Sequence, residues 1–497
     1  MKNEKHIKIK KITASKMMLF FCIFFLFSLS INIQTSKAVG FNENDIFVVD
    51  LSYDKTERQQ IHATLKKISS YAYFYVEDDY YNNLPSNLRA KLESDIYILA
   101  KSFDDTIYPN IKKTYGTEWT PGIDNDSKIT ILLTETKENV GGYFNPNDEY
   151  KKERITNEKS NEKEMIYLNI TFIGNDRIKS FLAHEFQHMI TWYHKTKLKN
   201  ITEEIWLNEA RSEYASTAIG YDDNYSGSNL KARISNFKTN PTDSLTEWQN
   251  KIYDYSSVNL FSQYLSDQFG NEIFKRMIEN DASGIESIDK SISDLGYKDQ
   301  TFKTTFVNWT ITNYLNGVSP LLKNKYNYKN ISFENFHIIP NNNFELNIKE
   351  PIFIKNSIKD WSSEYYKFNF INNANNSKIR ISFKGQNSGN FTVPYIILRK
   401  DNIYEINELN LNTSQDSIIY IPNYNKDILS ITIIPTSHKK TSNFGSDIDK
   451  YDFSFSIDII KSIIYKENSL LRSLSSSRVY IVKNGKKRWI PTEAIFN

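Results

Sequence analysis

The apolar residues of this chain change their period once, and that change constrains the fold more than any other feature. Between residues 255 and 316 they recur at helical spacing, as in Val258, Leu260, Phe261, Tyr264 and Leu265, with Gly270 as a stop. Between about residues 352 and 460 they alternate with polar residues, as in Tyr366/Phe368/Phe370, Ile379/Ile381/Phe383, Ile418/Tyr420 and Phe453/Phe455/Ile457. A stripe of period 3.6 and a face of period two bury themselves in different ways. The expectation is therefore an α+β part with a helical subdomain, followed by an all-β sandwich domain. The 497 residues, 39% of them hydrophobic, suffice for several such cores.

The first residues predict export. Six lysines between Lys2 and Lys16 precede an apolar run, residues 17–29, that is too short for a comfortable membrane span. Ser36 and Ala38 fit the small-residue rule for cleavage after Ala38. Removing that leader takes away seven lysines and Glu4, so the formal charge of +3 becomes −3. Neither nucleic acid nor an anionic membrane is then expected as a partner. The single cysteine, Cys22, lies inside the leader, which rules out disulfides, cysteine-ligated zinc and a thiol nucleophile in the exported chain.

The expected organisation is a signal peptide at 1–38, an α+β part at 39–225, a helical subdomain at 226–335, a β-sandwich at 345–460, and a linker with a terminal hairpin at 461–497. Within the α+β part, strands are expected at 46–51, 71–76, 129–134 and 165–170, and helices around 57–69 and 85–108. Asp124-Asn125-Asp126 mimics the start of a calcium loop. The usual Gly and terminal Glu are missing, so an Asx-turn is preferred and calcium is not supported. The hairpin signal Asn484-Gly485 is surrounded by Lys483, Lys486, Lys487 and Arg488, a basic surface that raises cell-wall contact as one role beside a plain terminal hairpin.

The chemistry concentrates in His184-Glu185-Phe186-Gln187-His188. Residues 178–193 lack Gly and Pro, so the two histidines stand four apart on one helix face and can reach one metal ion. Glu185, about 100° round, can flank the open position and take the proton of a water. A catalytic zinc needs a third protein ligand and one vacant position. Glu209, on a second helix read over 207–219, competes for that place with His194. His194 has the six-residue spacing of metzincins, but that arrangement needs a Gly where Thr191 stands. With Thr191 the helix continues and turns His194 about 240° from His188, so Glu209 is favoured.

These segments resemble a gluzincin, the thermolysin-like group in which two histidines and a downstream Glu hold zinc. Asn208-Glu209-Ala210-Arg211-Ser212-Glu213 is similar to that group's N-E-x-x-S-D, with Glu in place of Asp. The likeness implies that Glu213 orients a metal-bound imidazole. More closely, residues 184–188, 206–215 and Gly141-Gly142-Tyr143-Phe144 are similar to the hyicolysin family of bacterial neutral metallopeptidases, over roughly residues 45–316. The resemblance implies a secreted zinc endopeptidase with one Zn2+ ion, Glu185 as general base and protein or peptide substrates. It also implies a Tyr or His that donates to the developing oxyanion, for which Tyr253 or Tyr255, just before the Val258 helix, are the candidates. The Gly141–Phe144 turn is read either as an edge that accepts an extended peptide or as a plain hairpin loop. The rival expectation is a cell-surface or matrix-binding protein that keeps zinc only structurally, a reading disfavoured because structural sites are normally closed by four protein ligands.

Overall fold

The computed structural model describes residues 42–491 apart from 156–158, 223–227, 319–321, 323–324, 347–349, 371–376, 423–426, 441–449, 462–464 and 474–475. The predicted leader and Cys22 lie outside the described residues. Within them the chain is α+β, with a helical region and a β-rich C-terminal region.

The N-terminal part is built on a six-stranded sheet of β1 (Asn44–Val48), β2 (Gln60–Ile68), β3 (Ala72–Glu77), β4 (Ile129–Thr134), β5 (Gly142–Phe144) and β6 (Met165–Asn169), in the order β1-β2-β3-β4-β6-β5. β3, β4 and β6 run parallel, whereas β1, β2 and β5 pair antiparallel with their neighbours. All six residues of β4 are buried, as a near-continuous apolar run in a parallel interior demands. Phe74, Val76, Ile131, Leu133, Ile166 and Leu168 point into the helical core, and Tyr75, Leu132, Tyr143, Met165 and Tyr167 form a second core on the opposite face.

The helix expected around residues 57–69 is instead β2. Ile61 and Ala63 are buried while His62 is exposed, and the strand pairs with β1 on one side and β3 on the other. A register shift between Leu65 and Lys67 interrupts the alternation, which hid the period of two. Here cross-strand partners override local preference.

The helices that follow β3 are α1 (Asp78–Asn83), α2 (Ser86–Ser102) and α3 (Tyr108–Tyr115); a wide turn at Phe103–Ile107 joins the last two. Beyond β6 come α4 (Arg177–Thr191) and α5 (Ile205–Ala218), then α6 (Asn229–Thr239), α7 (Ile252–Phe269), α8 (Glu272–Glu279), α9 (Gly284–Asp294) and α10 (Phe302–Leu315). α4 is seated by Ile178, Leu182, Phe186, Met189 and Ile190, all buried. Phe186 stacks on Tyr108 at 5.5 Å and meets Phe103 edge-on at 5.7 Å, which fixes the rotation of α4 about its axis. That rotation decides where His184 and His188 point.

In the β-rich region, strands Asp416–Ile421, Ser377–Gly385, Lys450–Lys461 and Ile352–Lys359 form one sheet, in that spatial order. Tyr404–Glu408, Pro394–Arg399, Ile428–Ile433, Tyr366–Phe370 and Asn342–Leu346 form the other. Ile379, Ile381, Phe383, Phe453, Phe455 and Ile457 from the first share a core with Phe368, Ile397, Ile431 and Ile433 from the second, two faces packed as the alternation requires. Trp361, Tyr365, Ile396 and Ile434 join the helical core instead, and the Tyr314 hydroxyl meets Thr432 Oγ1 at 2.8 Å. The stretch expected as a linker before the hairpin contains a strand, Leu470–Arg472, which pairs with Val479–Lys483; that strand and Lys486–Ile490 form the hairpin. Among the described residues no helix is long and apolar enough to cross a membrane.

Candidate metal centre

α4 and α5 lie against one another, and their facing side chains converge. His184 Nε2 stands 3.3 Å from Glu209 Oε2, and His188 Nε2 stands 3.5 Å from Glu209 Oε1. One ligand atom from each of the three residues falls within 4.8 Å of the others, the only such group among the described residues. The four-residue spacing on α4 stacks the imidazoles edge-on, 4.8 Å between ring centres, and α5 brings its carboxylate up against both. The side chains of His184, His188 and Glu209 keep 17%, 13% and 16% of their surface exposed, so the cluster is reachable from solvent.

The donor set can hold a metal ion. Glu209 Oε2 is buried and accepts no hydrogen bond, a cost that a cation at the convergence point removes. Without a cation the cluster is electrostatically split. Burial opposes protonation of His184, yet the contact with Glu209 and the charges of Glu185 and Glu213 outweigh it and raise the group to about 9. Burial dominates at His188 and lowers it to about 4. Glu209 is held below its ordinary value: burial pushes it up, but the two histidines outweigh that. Desolvation raises Glu185 to about 7, with the charge of Glu209 adding to it.

Behind the imidazoles the hydrogen bonds are specific. Ser212 Oγ lies 3.1 Å from His188 Nδ1, 3.1 Å from Asn208 O and close to Gln187 Oε1. A hydroxyl has one proton, and two of these three neighbours are pure acceptors. When Oγ donates to either, it accepts from Nδ1–H and leaves the Nε2 lone pair of His188 facing Glu209. Gln187 is itself held by its Nε2 donating to Thr191 Oγ1 at 2.7 Å. Replacing Ser212 with alanine is therefore expected to weaken metal binding by about 10–100-fold, measured by competition with a chelator dye. The orphaned Gln187 oxygen should cost about 1–3 kcal/mol in denaturant unfolding.

Glu213 sits behind His184 as the motif implied, but its hydrogen bonds go elsewhere. Its Oε1 is 3.8 Å from His184 Nδ1, a contact of charge rather than a hydrogen bond. Arg233 of α6 grips the carboxylate with both prongs, Nε at 2.7 Å and Nη2 at 2.8 Å, and Asn229 and Asn259 donate to it at 3.1 and 3.2 Å. Burial raises Glu213, but the Arg233 charge more than offsets this and keeps it below its ordinary value. Nothing in the motif pointed to Arg233, which reaches the site because α6 and α5 both pack against α7. Ser212 was legible in principle, since it lies three residues after Glu209 on one helix face.

His194 is not part of the cluster. α4 ends at Thr191 and passes into a wide turn at Trp192–Lys197, which directs the His194 Nε2 to Thr117 O at 2.9 Å. Tyr253 and Tyr255 lie within α7 rather than before it. The Asp254 carboxylate accepts from the backbone N–H of Gln249 and Lys251, at 2.9 and 2.8 Å, and so starts the helix earlier than its apolar stripe suggests. Tyr255 reaches the site's edge: the guanidinium of Arg233 lies 4.8 Å above its ring, the hydroxyl donates to Asn250 at 2.8 Å, and its ionisation is opposed by burial and by Glu209 and Glu213. Tyr253 shows no such tie. A tyrosine that sequence reasoning missed, Tyr53, lies near the same acids. It stacks on Tyr143 at 4.7 Å, and the charges of Glu185 and Glu209, after burial and Asp50, raise its pKa.

Edge strand β5 roofs this site. The Phe144 backbone N–H donates to the Glu185 carboxylate. A β-carbon on Gly142 would stand 2.7 Å from Tyr167 O and 3.4 Å from Glu185 Cγ, and one on Gly141 would meet the Phe181 ring at 2.6 Å. Only glycines allow the strand so near the helix. Asp124 and Asp126 take the Asx-turn form, their carboxylates accepting from Asp126 N at 2.9 Å and Lys128 N at 3.0 Å, and Tyr73 donates to Asp126 at 2.8 Å.

No family model matches the chain, and no curated protein matches it. Among solved structures it is similar to the pre-peptidase C-terminal domain of collagenase from Bacillus anthracis, at 14% identity over 24% of this chain and 93% of that one, with a TM-score of 0.16. It is also similar to the periplasmic inhibitor of g-type lysozyme, PliG, from Salmonella Typhimurium, at 14% identity over 24% and 99%, with a TM-score of 0.15. Likenesses this slight define neither a fold family nor a chemistry for this chain.

Proposed function

We propose that the chain is an exported zinc endopeptidase of the gluzincin type, akin to the hyicolysin family, acting on proteins or peptides. The observation that carries this reading is the meeting of two imidazoles and one carboxylate from adjacent helices, with a second carboxylate, Glu185, beside them under an open sheet edge. Two nitrogen donors and one oxygen donor suit zinc better than calcium or magnesium, which prefer oxygen alone. Three protein ligands rather than four favour a catalytic over a structural ion.

When bound, zinc supplies Lewis acidity toward a scissile carbonyl and an attacking water. The chain's own residues do the rest. Glu185 takes the proton as the water oxygen bonds to the carbonyl carbon, holds it on a carboxyl oxygen, and gives it to the amine nitrogen as the C–N bond breaks. Burial favours the protonated form that the second step requires. β5 offers its unpaired edge to an extended peptide, laying the scissile bond over Glu185. Tyr255 and Tyr53, both within reach of the charges of Glu209 and Glu185, are the candidate donors to the developing oxyanion. Ser212 holds the His188 imidazole through its hydroxyl, and Glu213 acts on His184 through its charge.

The test is cleavage of casein or gelatin by the exported full-length chain, expected to stop on chelation and to return with added zinc. Cleavage that ignores the chelator would remove the metal from the reaction. Zinc retained without any cleavage would favour a surface-binding protein with a structural ion.

A further inference from the structure

A second group of carboxylates lies away from the histidines, on the segment that joins β5 to β6. Glu149 ends the short helical turn Pro146–Glu149, and Glu164 immediately precedes β6. Both are buried, at 1% and 3% exposure, and they face one another. Glu164 Oε1 accepts the Ile123 N–H at 2.6 Å, but Glu164 Oε2 and both oxygens of Glu149 receive no hydrogen bond from any other residue, and the two carboxyls come within hydrogen-bond reach of each other. The backbone has been shaped to admit this group: a β-carbon on Gly122, which has φ of +82°, would stand 1.9 Å from Glu164 Oε2. The other charged groups near the pair do not neutralise it. Asp148 is committed to Asn161 and Tyr167, Asp124 faces Glu164 as a further negative charge, and Lys197 acts on Glu149 only through charge while its ammonium lies over the Trp119 ring.

Two carboxylates buried face to face cannot both stay ionised unless something positive lies between them. Carboxylate oxygens with no nitrogen or sulfur donor beside them select a hard divalent cation, and calcium accepts an irregular set of oxygens where magnesium demands a strict octahedron. We propose that Glu149 and Glu164 hold a structural calcium ion that ties the two ends of the β5–β6 connection together, beside the 122–124 loop that Glu164 already holds through the Ile123 N–H. The ion would thereby fix edge strand β5, which ends five residues before Glu149, over the histidine cluster.

The alternative is one proton shared by the pair, and the two differ in their response to pH. A shared proton stabilises the fold at low pH and is lost as pH rises past the raised value of Glu164, about 7. The experiment uses the zinc-loaded full chain, so that the histidine site is filled, dialysed into calcium-free buffer. At about pH 8, calcium is expected to bind at one ion per chain and raise the thermal midpoint. Terbium in place of calcium should show emission sensitised by Tyr150, next to Glu149, and by Trp192, 5.6 Å from Tyr150. In Glu149→Gln the affinity should fall at least about tenfold. In calcium-free buffer at about pH 8 that variant should be more stable than the wild type, because the repulsion is gone. Glu164→Gln should behave alike and serves if the first variant does not fold. A calcium response that survives in either variant would overturn the proposal. So would a wild-type chain that ignores calcium and terbium and merely loses stability as pH rises, which is the signature of a shared proton. None of these readouts depends on proteolysis, so their failure would leave the zinc reading untouched.

Discussion

Glu185→Gln is expected to lower casein hydrolysis by about 10²–10⁴-fold while leaving zinc bound and the fold intact. The amide keeps the shape and still meets the Phe144 N–H through its oxygen, but it cannot take a proton from water. Stability should not fall, because burial already disfavours the Glu185 charge and lifts its pKa to about 7. The measurement is steady-state proteolysis beside metal content and thermal midpoint on the same preparation. Activity within about twofold of wild type would show that Glu185 is not the base. Loss of zinc with activity would show that the substitution disturbed the ligands and not the proton transfer.

Glu209→Ala should strip the chain of tightly held zinc, whereas His194→Ala should keep about one ion per chain. The two positions separate the rival ligand sets because the structure separates them: Glu209 stands 3.3 and 3.5 Å from the two imidazole nitrogens, and His194 is turned to Thr117 O. Losing that last hydrogen bond should cost His194→Ala only about 0.5–1.5 kcal/mol of stability. Metal analysis after gel filtration decides the matter. Zinc retained by Glu209→Ala and lost by His194→Ala would reverse the assignment and with it the relation to gluzincins.

The candidate ligands were legible because each depends on one helix. Four residues along α4 fix the angle between His184 and His188 whatever surrounds them, and the absence of a glycine at Thr191 keeps His194 from turning back. The β-rich region was legible for a similar reason, since alternation along one strand is a local property. β2 was misread where a register shift broke that alternation, and the start of α7 was misplaced because Asp254 caps it through backbone contacts rather than through an apolar stripe.

By itself, then, the sequence determined which side chains share a face: His184 with His188, Glu209 with Ser212 and Glu213, and the inward residues of each strand. Only the tertiary structure decided which faces meet. Tyr53 reaches the cluster from over a hundred residues upstream of α4, Arg233 arrives when α6 packs against α7, and Glu149 meets Glu164 across a connection with no pattern of its own. Helical and strand periods are set by bonds between near neighbours. The approach of distant segments is set by how whole cores pack, and no short stretch of residues records that.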